Sequence, residues 1–200
     1  MEGEMKLKVL GLAGSPRRGG STDMLLKAFL AGARKAGADS STLVIPSLQI
    51  AECDDCDSCA SDGKCIIEDD FQFVAERIIA SDVIVLSAPL YFAALPAQVK
   101  CLIDRSHCQW VRRYRLHVPL PPSNSGQARR RGILLSSAGD HKANFEGMRR
   151  TVRYFFNVYE TDYADELLIA GVDAKERIDE DKLQRANILG ERTCTLSEHD

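Results

Sequence analysis

The stretch LKVLGLAGSPRRGGST, residues 7–22, decides the fold. Its first part, residues 7–13, is a short apolar run of the kind that forms a buried strand. Its second part, residues 14–22, combines glycines, hydroxyl side chains and two arginines just before a segment with helical periodicity. A strand, a glycine-rich loop and a helix in this order begin a βαβ unit, and the free N–H groups at the start of the helix suit an anion. The stretch therefore predicts an α/β protein whose first loop binds a phosphate.

The same alternation of short apolar runs and helical segments continues along the chain, which is typical of a mostly parallel sheet covered by helices. Five strands are predicted, at residues 7–13, 42–45, 83–87, 132–136 and 167–170. Asp69 and Gln72 have the spacing of a capping box at the start of the second helix. A last, polar helix is predicted over about residues 174–191. Doubly wound sheets bind ligands beyond the carboxyl ends of their strands, so the loops that follow the strands are the candidate site.

Composition and charge exclude several classes of function. The chain has 200 residues, of which 44% are hydrophobic and 28% charged, and we predict one domain over residues 1–200. The net charge of −3 gives no support to general nucleic-acid binding or to polybasic membrane contact. No apolar run approaches the roughly 18 residues that span a bilayer, and no signal peptide precedes the first strand. We therefore expect a cytoplasmic protein with neither a nucleic acid nor a membrane as its partner.

A second candidate loop, SAPLYFAALP at residues 87–96, follows the third predicted strand. It carries adjacent aromatic residues, Tyr91 and Phe92, on which a flat ring can stack, although they are also able simply to cap the core. The first loop also has an interpretation without a ligand, as a glycine-rich connection in which Ser21 or Thr22 caps the helix. That loop is neither a Walker A motif nor G-x-G-x-x-G, which favours a single terminal phosphate as its ligand. Together the two loops predict a phosphate anchor and a planar-ring cradle at one edge of the sheet.

These two loops, with PAQVK at residues 96–100 and IDR at residues 103–105, resemble the NADPH-dependent FMN reductase superfamily over roughly residues 6–170. The resemblance implies an α/β, flavodoxin-like three-layer sandwich with a five-stranded parallel sheet, and FMN as cofactor. By position, the FMN phosphate would be held by Ser15, Arg17, Ser21 and Thr22. The isoalloxazine would be lined by Pro89, Leu90, Tyr91 and Phe92. A third loop would add Ser137 and Gly139, and no catalytic acid or base is identified.

The cysteines form the sharpest pattern in the sequence. Four of the seven follow a C-x2-C-x2-C-x5-C spacing, at Cys53, Cys56, Cys59 and Cys65. A zinc knuckle usually joins two C-x2-C turns across a dozen or more residues, whereas a dense run suits a cubane with one thiolate for each iron. The pattern resembles the iron-sulfur flavoprotein branch of the superfamily, which implies one 4Fe-4S cluster held by these cysteines. A zinc or cluster-free loop and a thiol–disulfide site are the alternatives.

Three further cysteines, Cys101, Cys108 and Cys194, are predicted to be ordinary thiols because no cysteine neighbours them in sequence. Residues 106–131 are predicted to be an irregular loop, since the proline-rich part suits neither helix nor strand. This loop concentrates arginines, at positions 112, 113, 115 and 129–131. The favoured role for this loop is a solvated or subunit-interface segment. Contact with an acidic partner or a nicotinamide phosphate is the second interpretation, and nucleic-acid contact is the last.

The leading functional prediction is an FMN-dependent oxidoreductase or electron-transfer protein in which a 4Fe-4S cluster couples one- and two-electron steps. The resemblance implies a homo-oligomer, dimer or tetramer. It also implies an electron donor such as ferredoxin, or NAD(P)H, and a small acceptor such as oxygen, peroxide or a quinone. One alternative is a cluster-free NAD(P)H-dependent FMN or quinone reductase. The other is a non-enzymatic, metal-stapled sensor protein on the same scaffold.

Overall fold

A computed structural model describes residues 6–127, 129–172 and 178–195. Five strands form one parallel sheet: β1 (Lys8–Ala13), β2 (Asp39–Val44), β3 (Val83–Pro89), β4 (Arg130–Ser137) and β5 (Thr161–Ile169). The helices are α1 (Ser21–Lys35), α2 (Asp70–Ile79), α3 (Ala97–Arg105), α4 (His107–Trp110), α5 (Glu146–Val158) and α6 (Glu180–Cys194). The strand order β2-β1-β3-β4-β5 is that of flavodoxin, so the predicted fold is confirmed.

Successive side chains of the strands enter two cores, one on each side of the sheet. In β1, Leu10 and Leu12 pack in the core that α2, α3 and α5 cover. Val9 and Ala13 of the same strand pack in the second core, against α1 and α6. Strands buried on both faces are apolar almost throughout, which is why the central strands were predicted close to their observed positions. None of the helices within the described ranges is long and apolar enough to cross a membrane.

The edge strands are longer than predicted. β2 begins at Asp39 rather than at residue 42, and β5 begins at Thr161 rather than at residue 167. The added residues are largely polar and partly exposed, since an edge strand keeps contact with solvent and so lacks a continuous apolar run. The last helix begins at Glu180 and ends at Cys194. Its predicted start near residue 174 lies outside the described residues.

The prediction of an irregular loop over residues 106–131 is wrong at both ends. α4 continues directly into a π-helical turn, Val111–Arg115. Cys108 and Val111 are buried on this segment and give it the apolar face that stabilises a helix in a folded protein. Beyond the turn, residues 116–127 with their three prolines form neither helix nor strand, and β4 begins at Arg130.

The predicted concentration of arginines is divided between two structural elements. Arg130 is completely buried in β4, where its guanidinium donates hydrogen bonds to the carbonyl oxygens of Ile79, Tyr159 and Pro121. The other group of arginines lies on the π-helical turn, Val111–Arg115. Arg130 therefore links the proline-rich segment to the sheet through hydrogen bonds. The prediction of a solvated role is wrong for this residue.

Asp82 fastens the same segment at the amino end of β3. Its completely buried carboxylate accepts hydrogen bonds from the backbone N–H groups of Lys8, at 2.7 Å, and Ser125, at 2.6 Å. Burial alone would raise the pKa of Asp82, but these hydrogen bonds and those of nearby serine hydroxyls hold the pKa below its ordinary value of 3.8. The ionised carboxylate therefore stabilises the fold.

We expect Asp82→Asn to lower the free energy of unfolding by about 1–3 kcal/mol at neutral pH, because the buried N–H donors lose a charged acceptor. Since the folded-state pKa is depressed, the contribution of the carboxylate is present above the unfolded-state pKa. It is lost as the pH falls through the folded-state pKa. Urea unfolding from pH 7 to below 3.8 should therefore show the gap between wild type and variant narrowing in acid. A gap that stays constant over this range would contradict the prediction.

Candidate functional site

An open cleft lies at the carboxyl edge of the sheet, between the loops that follow β1, β3 and β4. All the predicted FMN residues except Phe92 line it: Ser15, Arg17, Ser21, Thr22, Pro89, Leu90, Tyr91, Ser137 and Gly139. Gly20, Ala138 and Val172 complete the lining. The fold thus brings three loops that are far apart in sequence to a single cleft.

The first loop is held against β3 by close backbone contacts. The N–H of Gly14 donates to the carbonyl oxygen of Ser87 at 2.7 Å, and the Ser87 hydroxyl donates to the carbonyl oxygen of Thr22 at 2.8 Å. A Cβ atom at Gly14 would lie 2.5 Å from Cγ2 of Val99, which is closer than packing allows. Glycine at this position therefore lets the loop pack closely on α3.

The start of α1 offers donors to the cleft. Its N-cap is Gly20, which has no side chain to cap the helix, so the alternative in which Ser21 or Thr22 is the N-cap is wrong. The amino end of a helix carries unpaired N–H groups and a partial positive charge, which favour an anion. Of the two neighbouring arginines, Arg17 lines the cleft and Arg18 does not. N–H groups, hydroxyls and one guanidinium are together a suitable set of phosphate ligands.

The second loop makes a tight turn at which Tyr91 and Ala94 pair. The central residues, Phe92 and Ala93, have φ angles of +49° and +60°. Two successive left-handed residues are typical of a type I′ turn, and this backbone is strained for residues other than glycine. Phe92 is fully exposed at the tip and does not line the cleft, so the structure separates it from the other predicted residues. Tyr91 lines the cleft with its side chain half-exposed.

The third loop is held between its neighbours. The N–H of Leu90 donates to the carbonyl oxygen of Ser137 at 3.0 Å, and the N–H of Ala138 donates to that of Ile169 at 2.9 Å. The N–H of Val172 in turn donates to the carbonyl oxygen of Ala138 at 2.9 Å. Val172 was missed by the sequence analysis, although its position just after the last strand was the available signal.

A second, smaller cavity lies beside the loop between β2 and α2. All four cysteines of the predicted cluster motif line it: Cys53, Cys56, Cys59 and Cys65. In the part of the chain that the structure describes, no three His, Cys, Asp or Glu side chains converge closely enough to hold one metal ion. A zinc site gathers its thiolates about 2.3 Å from a single ion, whereas a 4Fe-4S cluster distributes four thiolates over four irons. Four thiols that line one cavity are therefore a donor set that suits a cluster with one thiolate for each iron.

The cysteine loop, residues 52–66, turns back on itself through left-handed residues. Asp55, Asp57 and Gly63 have φ angles of 56°, 54° and 72°. A Cβ atom at Gly63 would lie 2.9 Å from Cβ of Arg112, so the loop packs closely on the π-helical turn. Asp57 also pairs with Arg115 of that turn at 3.4 Å. The π-helical turn thus supports the cysteine loop from outside the cavity.

Two side chains of α4, His107 and Cys108, also line this cavity. Cys108 is buried, as expected of an ordinary thiol, but the helical path after α3 returns it to the cysteine loop, which its sequence position did not indicate. Burial raises the pKa of the Cys108 thiol to about 12, and the nearby thiols of Cys65 and Cys59 add to the effect. Sequence separation gave no signal of this approach.

Arg105, which the sequence analysis did not single out as a site residue, closes the base of the cysteine loop. Its side chain is completely buried, and its guanidinium pairs with Asp69, with Nη1 donating to Oδ2 at 2.6 Å. It also donates to the carbonyl oxygens of Ala51 at 3.2 Å and Ile67 at 2.9 Å. Burial disfavours the charged form of both groups. Their pairing outweighs burial, so the pKa of Arg105 is raised above its ordinary value and the pKa of Asp69 is lowered below its own.

The base of the loop is closed by two further interactions. The N–H of Gln49 donates to the carboxylate of Asp70 at 2.7 Å, and the N–H of Asp70 donates to the carbonyl oxygen of Gln49 at 3.1 Å. Asp69 caps α2 through the N–H of Phe71, and the predicted capping box with Gln72 is confirmed. The two ends of the loop are therefore joined beside the first turn of α2.

Comparison with known proteins assigns the family. The model of a family described as NADPH-dependent FMN reductase matches residues 7–143, which include the first two cleft loops, the cysteine loop and β4. The chain belongs to the NADPH-dependent FMN reductase family. The predicted family resemblance is therefore confirmed.

Several curated relatives of this family member are named iron-sulfur flavoprotein. This is the branch of the superfamily that the cysteine pattern predicted. The protein of Methanosarcina thermophila is 36% identical over 100 residues, which are 50% of this chain and 52% of that protein. One from Methanocaldococcus jannaschii is 28% identical over 155 residues, which are 77% of this chain and 73% of that protein. The chain thus spans about half the length of the first of these relatives.

Solved structures of similar fold include two with low sequence identity. The NAD(P)H:quinone oxidoreductase from Methanothermobacter marburgensis superposes with a TM-score of 0.65 at 17% identity, covering 95% of this chain and 98% of that one. An azoreductase from Bacillus anthracis gives a TM-score of 0.64 at 16% identity, covering 94% and 99%. At this level of identity the similarity shows the fold alone.

Proposed function

We propose that this protein is an FMN-dependent oxidoreductase that also holds a 4Fe-4S cluster. One observation carries the proposal: a cleft with phosphate-type donors and a separate cavity lined by four cysteines lie in the same chain. When bound, FMN supplies two-electron chemistry and the cluster supplies one-electron chemistry, so a protein that holds both can link the two kinds of step.

In the proposed complex the three loops of the cleft have different tasks. The first-turn N–H groups of α1 and the hydroxyls of Ser15, Ser21 and Thr22 bind the phosphate, while Arg17 supplies the positive charge. The second loop, through Pro89, Leu90 and Tyr91, and the third, through Ser137 and Gly139, orient the flavin ring. Phe92 is the weakest member of this proposed set, because its side chain lies outside the cleft lining.

The four cysteines are the proposed ligands of the cluster. Cys53 and Cys56 are exposed, whereas Cys59 and Cys65 are partly buried, so one side of the cavity is accessible to a protein electron donor. We propose a ferredoxin-type donor, with NAD(P)H as the alternative, and oxygen, peroxide or a quinone as acceptor. Cytoplasmic location, assembly as a homo-oligomer and a single domain over residues 1–200 belong to the same proposal.

Cofactor analysis of the anaerobically purified protein tests the proposal. Iron, sulfide, zinc and flavin are quantified on one sample, and we expect about four iron, four sulfide and one FMN for each chain. FMN without iron, even after anaerobic reconstitution, would replace the proposal by the cluster-free NAD(P)H-dependent reductase. Absence of both cofactors would favour the metal-stapled sensor protein.

Substitution of one proposed cluster ligand should affect the iron content without affecting FMN binding. We expect Cys56→Ala to lose more than half of its iron after anaerobic reconstitution and to keep its FMN, because the cluster loses a thiolate while the cleft is unchanged. Cys56 is exposed, so its replacement removes no core packing.

The control is Cys101→Ala, since Cys101 is half-buried and does not line the cysteine cavity. This variant should keep the full iron content. Full iron in Cys56→Ala, or an equal loss in both variants, would contradict the assignment of Cys56 as a ligand.

A further inference from the structure

The guanidinium of Arg105 has five N–H donors, and four of them are engaged. Nη1 donates to Asp69 and to the carbonyl oxygen of Ala51, while Nη2 donates to Asp69 and to the carbonyl oxygen of Ile67. The fifth donor, Nε–H, is buried and has no acceptor in the described part of the chain. The guanidinium also lies over the ring of Phe71, with Cζ 4.9 Å from the ring centroid.

A buried donor without an acceptor is unfavourable by about 1–3 kcal/mol, and by more when the group is charged. Buried polar groups are therefore nearly always paired. Arg105 lines the cavity that the four cysteines share, so this adjoining space can accommodate an acceptor. Thiolate and sulfide are the acceptors that the cysteine motif would bring there.

We propose that Arg105 is a positioning residue for the cluster, whose Nε–H donates a hydrogen bond to a sulfur of that cluster and whose charge raises its reduction potential. The inference rests on the proposed function, because it requires the cluster to be present.

The physical basis is electrostatic. Reduction by one electron makes a cluster more negative by one unit, and no proton need move because the guanidinium stays protonated. A nearby positive charge and an N–H donor to sulfur both favour the more negative state. The exposed aspartates of the cysteine loop, Asp54, Asp55 and Asp57, act in the opposite direction. Arg105 is thus a buried positive charge beside a negatively charged loop.

Redox titration of two variants tests the proposal. Arg105→Lys keeps the charge but removes the guanidinium Nε–H, and Arg105→Gln removes the charge as well. We expect the midpoint potential to fall from wild type to Arg105→Lys and further to Arg105→Gln. For Arg105→Gln the ratio of reduced to oxidised cluster at a fixed potential should fall at least about tenfold, equal to about 59 mV for one electron.

The matched control is Arg130→Lys, because Arg130 is also completely buried but binds backbone oxygens away from the cysteine loop. Its replacement should lower the thermal stability and leave the potential unchanged. A purely structural role for Arg105 predicts that Arg105→Lys and Arg105→Gln also lose thermal stability and keep the wild-type potential. Wild-type potential in an Arg105→Gln protein with full iron content would therefore overturn the proposal.

A measurement on the unmodified sequence keeps the test decisive if the Arg105 variants fail to assemble a cluster. Protein grown with arginine labelled with ¹⁵N at Nε alone, and then reduced, should show a ¹⁵N coupling in pulsed EPR. The same coupling should persist in Arg130→Lys. Its absence from a wild-type protein with full iron content would overturn this proposal and leave the proposed function intact, whereas a wild-type protein without iron after reconstitution overturns both.

Discussion

Replacing Arg17 by glutamate should weaken FMN binding by about 100-fold, whereas the same change at Arg18 should have a much smaller effect. A hydrogen bond to a charged group contributes about 1.5–3 kcal/mol, and 2.7 kcal/mol is about a factor of 100 in the dissociation constant. Arg17 lines the cleft beside the first turn of α1, while its neighbour Arg18 does not. The two variants, Arg17→Glu and Arg18→Glu, therefore compare equal changes of charge at adjacent positions.

Titration of the flavin-free protein, followed by flavin fluorescence, measures the effect. Riboflavin provides a second comparison because it has the flavin ring without the phosphate. We expect Arg17→Glu to bind riboflavin as wild type does, since the ring contacts come from the second and third loops. Equal weakening of FMN and riboflavin binding would show that Arg17 does not act through the phosphate.

Replacing Gly32 by valine should lower the free energy of unfolding by about 3 kcal/mol or more, because it separates two packed helices. A Cβ atom at Gly32 in α1 would lie 1.9 Å from the carbonyl oxygen of Asn187 in α6. At Gly190 a Cβ atom would lie 2.0 Å from the carbonyl oxygen of Phe29. The obstructing atoms belong to the backbones, so neither helix can yield by moving a side chain alone. Total stabilities of domains are about 5–15 kcal/mol, so this loss is a large fraction.

The control for Gly32→Val is Ala31→Val, at the preceding, exposed position of the same helix. It introduces the same branched side chain and should reduce stability only by the difference in helix propensity, which is below about 1 kcal/mol. Denaturant unfolding, followed by far-UV circular dichroism, measures both variants. Similar losses at the two positions would indicate that the α1–α6 packing is looser than the glycine contacts imply.

The central strands and the three cleft loops were predictable because each is encoded locally. A buried parallel strand is a continuous apolar run, and the glycines and hydroxyls of residues 14–22 lie consecutively in the chain. The capping box at Asp69 was predictable for the same reason. The Cys53 to Cys65 motif could be recognised from spacing alone, because all its members belong to one loop.

The contributions of Arg105, Cys108 and Val172 depend on tertiary contacts. Arg105 reaches the cysteine loop only after α3 has packed on the sheet, and Cys108 follows it through the next helical turn. The helix beyond Arg105 was missed because its buried face is short and is followed by prolines. Phe92 shows the reverse dependence: its residue type suits a flavin ring, but the left-handed turn at its position places the side chain at an exposed tip, outside the cleft lining.

The closed base of the cysteine loop joins the two ends of the loop independently of its length. Gln49 and Asp70 are joined by two hydrogen bonds that involve only residues flanking the loop, so this joint itself requires no cysteine. Doubling the length of a flexible loop costs only about 0.6 kcal/mol of closure entropy. We therefore expect a change in the loop's length to leave the joint between Gln49 and Asp70 intact and to alter the cysteine cavity instead.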